Sequence, residues 1–282
     1  MKRILILGFL VLITAASADG LGTLQSYSEN EGIANENNKH SQWSGKKIAF
    51  LGDSMTQKMD SSKIVYWEYL SDMMDIEPFV YGISGNQWDD VFKQAQKLKQ
   101  ERGTDIDAIL IFAGTNDYNH NTPLGNFYQE TARETNFNGT KVTRKYRKLI
   151  EDDSTFCGRI NKVMAFLKQN YPDQQIVIMT PIHRGFARFS EKNVQPEENF
   201  SNDLGLYIDN YVNMLRNASS VWSVPLIDLY SLSGLHPILD SYTKYFLNAN
   251  TDRLHPNSAG NFRLAKTIQY QLLALPSILM PE

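Results

Sequence analysis

The chain has 282 residues, 42% hydrophobic and 21% charged, with a formal net charge of −3 and a single cysteine. This composition suits a buried core shared by one or two domains, and it excludes a disordered chain or a disulfide scaffold. The small net charge gives no global pull towards nucleic acid or an anionic bilayer.

In chain order, the first segment is "MKRILILGFLVLITAASA", with Lys2 and Arg3 at its start, apolar residues from Ile4 to Ile13, and Ala16-Ser17-Ala18 at its end. This pattern predicts a secretory signal peptide over residues 1–18. The apolar stretch is shorter than the about 20 residues a bilayer span needs. The protein is therefore expected to be exported, periplasmic or secreted, with no stable membrane insertion after cleavage. Residues 19–45 are rich in Asn, Ser, Glu and Gly without apolar periodicity, and are expected to form a flexible arm ahead of a single domain over 46–282.

Within that domain, short apolar runs fall at Ile48–Leu51, Phe79–Tyr81, Ile109–Phe112, Ile176–Met179 and Leu226–Leu229. They do not alternate strictly, as befits strands covered on both faces. Helical spacing lies between and around them, over Val65–Met74, Asp89–Gln100, Phe156–Asn170 and Leu204–Asn217, with a last helix capped by Asn257 or Ser258. The alternation predicts a doubly wound, flavodoxin-like three-layer α/β/α sandwich on a mainly parallel five-stranded sheet. Ligands then belong outside the carboxyl ends of the strands. A polar insertion at about 118–153 contains the charged run "KVTRKYRK", which is expected to be a solvated helix face. Cys157 is expected to pack in the interior.

Four of the predicted junctions carry reactive groups. The first strand delivers Gly52-Asp53-Ser54, the second leads into Gly85, the third delivers Gly114-Thr115-Asn116-Asp117, and Asp252-Arg253-Leu254-His255 precedes the last helix. A serine that takes an acyl group needs a base within hydrogen-bond reach and a group that orients the base. Among the five histidines, His255 has an acid three residues before it, whereas His236 in the same Leu-His-Pro context has Ser233 there. His40 lies in the arm and His120 in the insertion, and His183, after the fourth strand, has no local acid partner. The Gly-x-Ser-x-Gly elbow is absent, since Asn86 stands where "GISGN" would need its second glycine.

These four blocks, in this order, resemble the SGNH (GDSL-type) hydrolase family. The resemblance implies a serine esterase without cofactor or metal. Ser54 would be the nucleophile, His255 the general base and Asp252 its orienter. The Ser54 and Gly85 N–H groups and the Asn116 side chain would form the oxyanion hole. Trp88 and Tyr118, beside the motif loops, are candidate substrate contacts by stacking. The expected partner is a small-molecule or glycan ester, most readily an acetylated carbohydrate. Alternatives are a lipase or thioesterase for longer acyl chains, a metal-dependent phosphoesterase using Asp53, Asn116, Asp117 and His255, and a non-catalytic glycan-binding module.

Overall fold

The computed structural model describes residues 41–59 and 63–280. The signal peptide expected over 1–18 and the part of the arm over 19–40 lie outside the described residues. Residues 41–45, expected to belong to that arm, pack into the domain. Trp43 is fully buried and its Nε1 donates to Leu272 O at 2.7 Å. Gln42 Nε2 donates to Leu273 O and Leu275 O at 2.9 and 3.0 Å. The bond to Leu273 O satisfies a carbonyl at the end of the last helix, while Leu272 O also accepts from Leu275 N at 2.9 Å.

The elements run β1 (Lys47–Gly52), α1 (Tyr66–Met74), β2 (Glu77–Val80), α2 (Trp88–Arg102), β3 (Ala108–Phe112), α3 (Thr115–Asn119), β4 (Tyr128–Phe137), β5 (Thr140–Leu149), α4 (Phe156–Asn170) and β6 (Gln175–Met179). They continue as β7 (Ala187–Arg188), β8 (Val194–Gln195), α5 (Ile208–Trp222), β9 (Leu226–Ile227), α6 (Leu229–Leu232), β10 (Phe246–Asn248), β11 (Asp252–Pro256) and α7 (Ser258–Leu273). No helix among the described residues is long and apolar enough to cross a membrane.

The central sheet has the order β2-β1-β3-β6-β9 with every pairing parallel. It is the doubly wound sheet that the apolar runs predict. The residues of β3 and β6 are buried throughout, as are those of β1 after Lys47, because helices cover both faces. On one face Ala49, Leu51, Ile109, Ile111, Ile176 and Ile178 join the core formed with α2, α4 and α5. On the other, Phe50 and Phe112 each meet the Tyr66 ring of α1 edge-on at 5.8 Å.

Helix starts follow local chemistry. Thr155 Oγ1 accepts from Gly158 N at 3.1 Å ahead of α4. Of the two caps expected for α7, Asn257 takes the position, its Oδ1 accepting from Ala259 N and Gly260 N. Helix α5 begins at Ile208, later than the expected Leu204, because Asn202 Oδ1 holds Leu204 N and Leu206 N in a turn.

Two features differ from expectation. The charged run of the 118–153 insertion is not a helix face but strand β5, paired antiparallel with β4 over ten residue pairs without a bulge. Its two-residue turn, Asn138-Gly139, has φ of 50° and 78°, the left-handed pair that a type I′ hairpin needs. The second feature is an additional antiparallel sheet of order β10-β11-β7-β8. The Asp252–His255 segment, placed by the sequence only at the junction before the last helix, is part of strand β11 of this sheet.

Candidate active site

Because the five central strands are parallel, the segments after β1, β2 and β3 leave from one edge of the sheet. Strand β11 brings the fourth block to the same edge. Ser54 Oγ lies 2.9 Å from His255 Nε2, and His255 Nδ1 lies 3.0 Å from Asp252 Oδ2. The other carboxylate oxygen of Asp252 accepts from His255 N at 2.9 Å and Leu254 N at 3.1 Å. Residues separated by 201 positions thus form one hydrogen-bonded chain.

The loop ends are held from below. Gln94, buried on α2, accepts from Gly52 N and donates to Gly52 O, both at 2.8 Å, and also donates to Asn86 Oδ1 at 2.8 Å. It fastens the end of β1 to the loop after β2. Gly52 is irreplaceable for steric reasons, since a Cβ there would meet Phe112 O at 2.2 Å. Gly85 is a different case: nothing lies within 4 Å of the place a Cβ would occupy, and φ of +80° is what selects glycine. Among the described residues no hydrogen bond occupies the Ser54 or Gly85 N–H. Asn116 Nδ2 gives one proton to Asn86 O at 3.0 Å, which fixes the amide and leaves its second N–H for a ligand.

Ser54, Gly85, Asn116, Asp252 and His255 all line one open cleft of about 990 Å³. Trp88 and Tyr118 do not line it. Trp88 is in the core, edge-on to Phe156 with ring centroids 6.5 Å apart. Tyr118 is buried with its hydroxyl donating to Phe200 O, and it borders a smaller neighbouring recess. Phe189, which the sequence did not single out, is the aromatic beside the cleft, with its ring 5.4 Å from that of His255. His120 also lines the cleft, its Nδ1 paired with Asn116 O at 2.9 Å. His183 does have an acid partner, Glu198 Oε1 at 2.6 Å, and it stacks between Tyr230 and His236.

Asp117 is turned to structural work. Its carboxylate accepts from Trp88 N at 3.1 Å and Arg159 Nη1 at 2.9 Å. Burial pushes its carboxyl up to about 7 although Arg159 pulls the other way. Burial likewise pushes Asp53 up to about 6, against the stabilising bond its Oδ1 accepts from Met55 N at 2.9 Å. Cys157 is buried in the core and burial raises its thiol to about 12, as an inert packing residue requires.

The raised Asp53 value has a thermodynamic consequence. A carboxyl that holds its proton more tightly when folded stabilises fully only below the unfolded value of 3.8, and that stability is lost as pH rises through about 6. Asp53→Asn keeps the acceptor for Met55 N and removes the ionisation. Its stability relative to the parent should rise between pH 4 and pH 6 by up to about 3 kcal/mol and stay level above that. Denaturant unfolding at several pH values reads the difference, and parallel curves would refute it.

A family model, the GDSL-like lipase/acylhydrolase family, matches residues 50–262. No curated protein matches the chain by sequence. Among solved structures, a protein from Lactobacillus plantarum is 26% identical with a TM-score of 0.62, over 82% of this chain and 98% of that one. A possible lipase from Chitinophaga pinensis has a TM-score of 0.61 at 18% identity, over 82% and 99% of the two chains, and speaks to the fold alone. The family match reaches from β1 through the Ser54 segment to the His255 strand and into α7. By that match the chain belongs to the GDSL-like lipase/acylhydrolase family and is a serine ester hydrolase.

Proposed function

We propose that the protein removes acetyl groups from a carbohydrate through an acyl-enzyme on Ser54. The observation that carries the chemistry is the hydrogen-bonded chain Ser54–His255–Asp252 at the wall of an open cleft. In this reading Ser54 Oγ attacks the ester carbonyl while His255 Nε2 takes its proton. Asp252 keeps the Nδ1 proton in place and stabilises the imidazolium. Charge growing on the carbonyl oxygen meets the Ser54 and Gly85 N–H groups and the free N–H of Asn116. His255 then protonates the departing alcohol, and water repeats the sequence on the acyl group.

The cleft supports a sugar alcohol through the polar part of its wall, beside the apolar Met59, Phe189 and Leu247. Its wall includes Asn119, Asn193, Gln195, Asn248 and Thr251, amides and a hydroxyl suited to a polyhydroxylated ligand. Export by the expected signal peptide would bring the enzyme to extracellular glycans. A p-nitrophenyl ester series from acetyl to long acyl tests the substrate. Strong preference for acetyl is expected, and preference for eight or more carbons would overturn the reading.

Asn116→Ala should lower kcat by about 10²–10³-fold with little change in KM, because its donor acts on charge that appears only in the transition state. Steady-state kinetics on p-nitrophenyl acetate would show this. A pure KM effect would remove Asn116 from the oxyanion hole.

A further inference from the structure

The β4–β5 ribbon is the part of the molecule for which the esterase chemistry has no use. Its base is anchored by Asn161 Nδ2, which donates to Phe127 O and Ile150 O, both at 2.8 Å. Beyond the base, every residue from Gln129 to Lys148 is exposed except Val142, which is half-buried. Strands of ten residues span roughly 34 Å, and a two-stranded ribbon alone in water is marginal. A ribbon held out from the domain in this way calls for something that covers it.

Its two faces differ. Paired residues of an antiparallel ribbon share a face. One face carries Glu130 and Glu134 with Lys141, Lys145 and Arg147, and neutralises much of itself: Lys145 pairs with Glu130 at 3.3 Å, and Arg147 lies over the Tyr128 ring. The other face carries Arg133, Arg144 and Lys148 and no acid at all. There Arg133 stands directly opposite Arg144, a like-charge pair that weakens a ribbon unless an anion bridges it. Two exposed rings accompany the cations, Phe137 (58% exposed) and Tyr146 (40%), and Arg133 lies 3.9 Å over the Tyr146 ring. The whole ribbon has six Lys and Arg against two Glu, in a chain whose formal net charge is −3.

We propose that the acid-free face of this ribbon binds an anionic polysaccharide, a carboxylate- or sulfate-bearing chain laid along its length. The cations would meet the acid groups, while Tyr146, Phe137 and the hydroxyls of Thr131 and Thr135 would meet the sugar rings. The cations are spread along the ribbon, and the tip offers only Phe137 beside Asn138, Gly139 and Thr140. That layout suits a linear polymer and lacks the apolar wedge that inserts into a bilayer. The inference rests on the glycan-ester reading, since it names the kind of polymer that would carry the ester.

The test is retention of the full-length protein in native gels cast with polygalacturonate, dextran sulfate or neutral dextran. Retention by both charged polymers and not by dextran is expected, lost on raising the salt to about 1 M as screening demands. Arg133→Gln/Arg144→Gln/Lys148→Gln should weaken retention at least tenfold. Lys141→Gln/Lys145→Gln, on the opposite face, should weaken it less than threefold. Thermal unfolding verifies that both variants fold, and the salt series on the parent stands even if one does not. No retention, retention insensitive to the first variant, or binding only to phosphatidylglycerol vesicles would overturn the proposal. Because retention needs no turnover, its failure is separable from failure of the acyl-chain series.

Discussion

Ser54→Ala is expected to lower ester hydrolysis by at least about 10⁴-fold while the fold is retained. The substitution removes the oxygen placed 2.9 Å from His255 Nε2. What survives would be the contribution of the oxyanion donors and substrate binding, which act without the nucleophile. The cost to stability should be small. Ser54 sits in the wall of an open cleft, and among the described residues its hydroxyl makes one bond, to His255. Two measurements check the result together: kcat on p-nitrophenyl acetate, and labelling by a serine-directed fluorophosphonate, which the variant should escape. Hydrolysis at the parental rate would end the acyl-enzyme reading.

The second large effect is expected from Asp252→Asn, at about 10⁴-fold in kcat. Asp252 uses one oxygen to hold the Leu254 and His255 amides and the other to accept the hydrogen bond from His255 Nδ1–H. An asparagine can keep the first role through its carbonyl oxygen. Its NH₂ then faces Nδ1 and favours the tautomer protonated on Nε2, the atom that in the proposed mechanism accepts the Ser54 proton. Geometry would be kept and basicity lost. The check is a kcat fall of that size with KM and melting temperature near the parent's; a loss of less than tenfold would show that Asp252 merely props the strand.

Much of this is legible in the sequence, for physical reasons. The central strands announce themselves because covering on both faces demands continuous apolar runs, as in "AILIF" over β3. Ser54, Gly85, Asn116, Asp252 and His255 can be placed together because parallel strands release their loops at one edge. The ribbon departs from the expected helix because its turn, not its charge pattern, decides its conformation. Asn138-Gly139 is itself the strongest short-range hairpin signal, and it points to strands. Strands β7 and β8 have two residues each and no periodicity to read, so the sheet that carries His255 is hidden in the sequence. Trp88 and Tyr118 show the limit of nearness in sequence. A helix that starts at a motif loop turns some side chains to the cleft and others to the core, and Trp88 opens α2 facing the core.

The Trp43 and Gln42 contacts have a consequence for how the chain can be rearranged. They bring the domain's entry point to within hydrogen-bonding distance of the end of α7, so the folded path is nearly a closed circuit. A short bridge could join the two ends, and new termini could be opened at the Asn138-Gly139 turn, where no core contact would be cut. Such a circular permutant would leave the Ser54 rim whole and turn the solitary ribbon into two free tails.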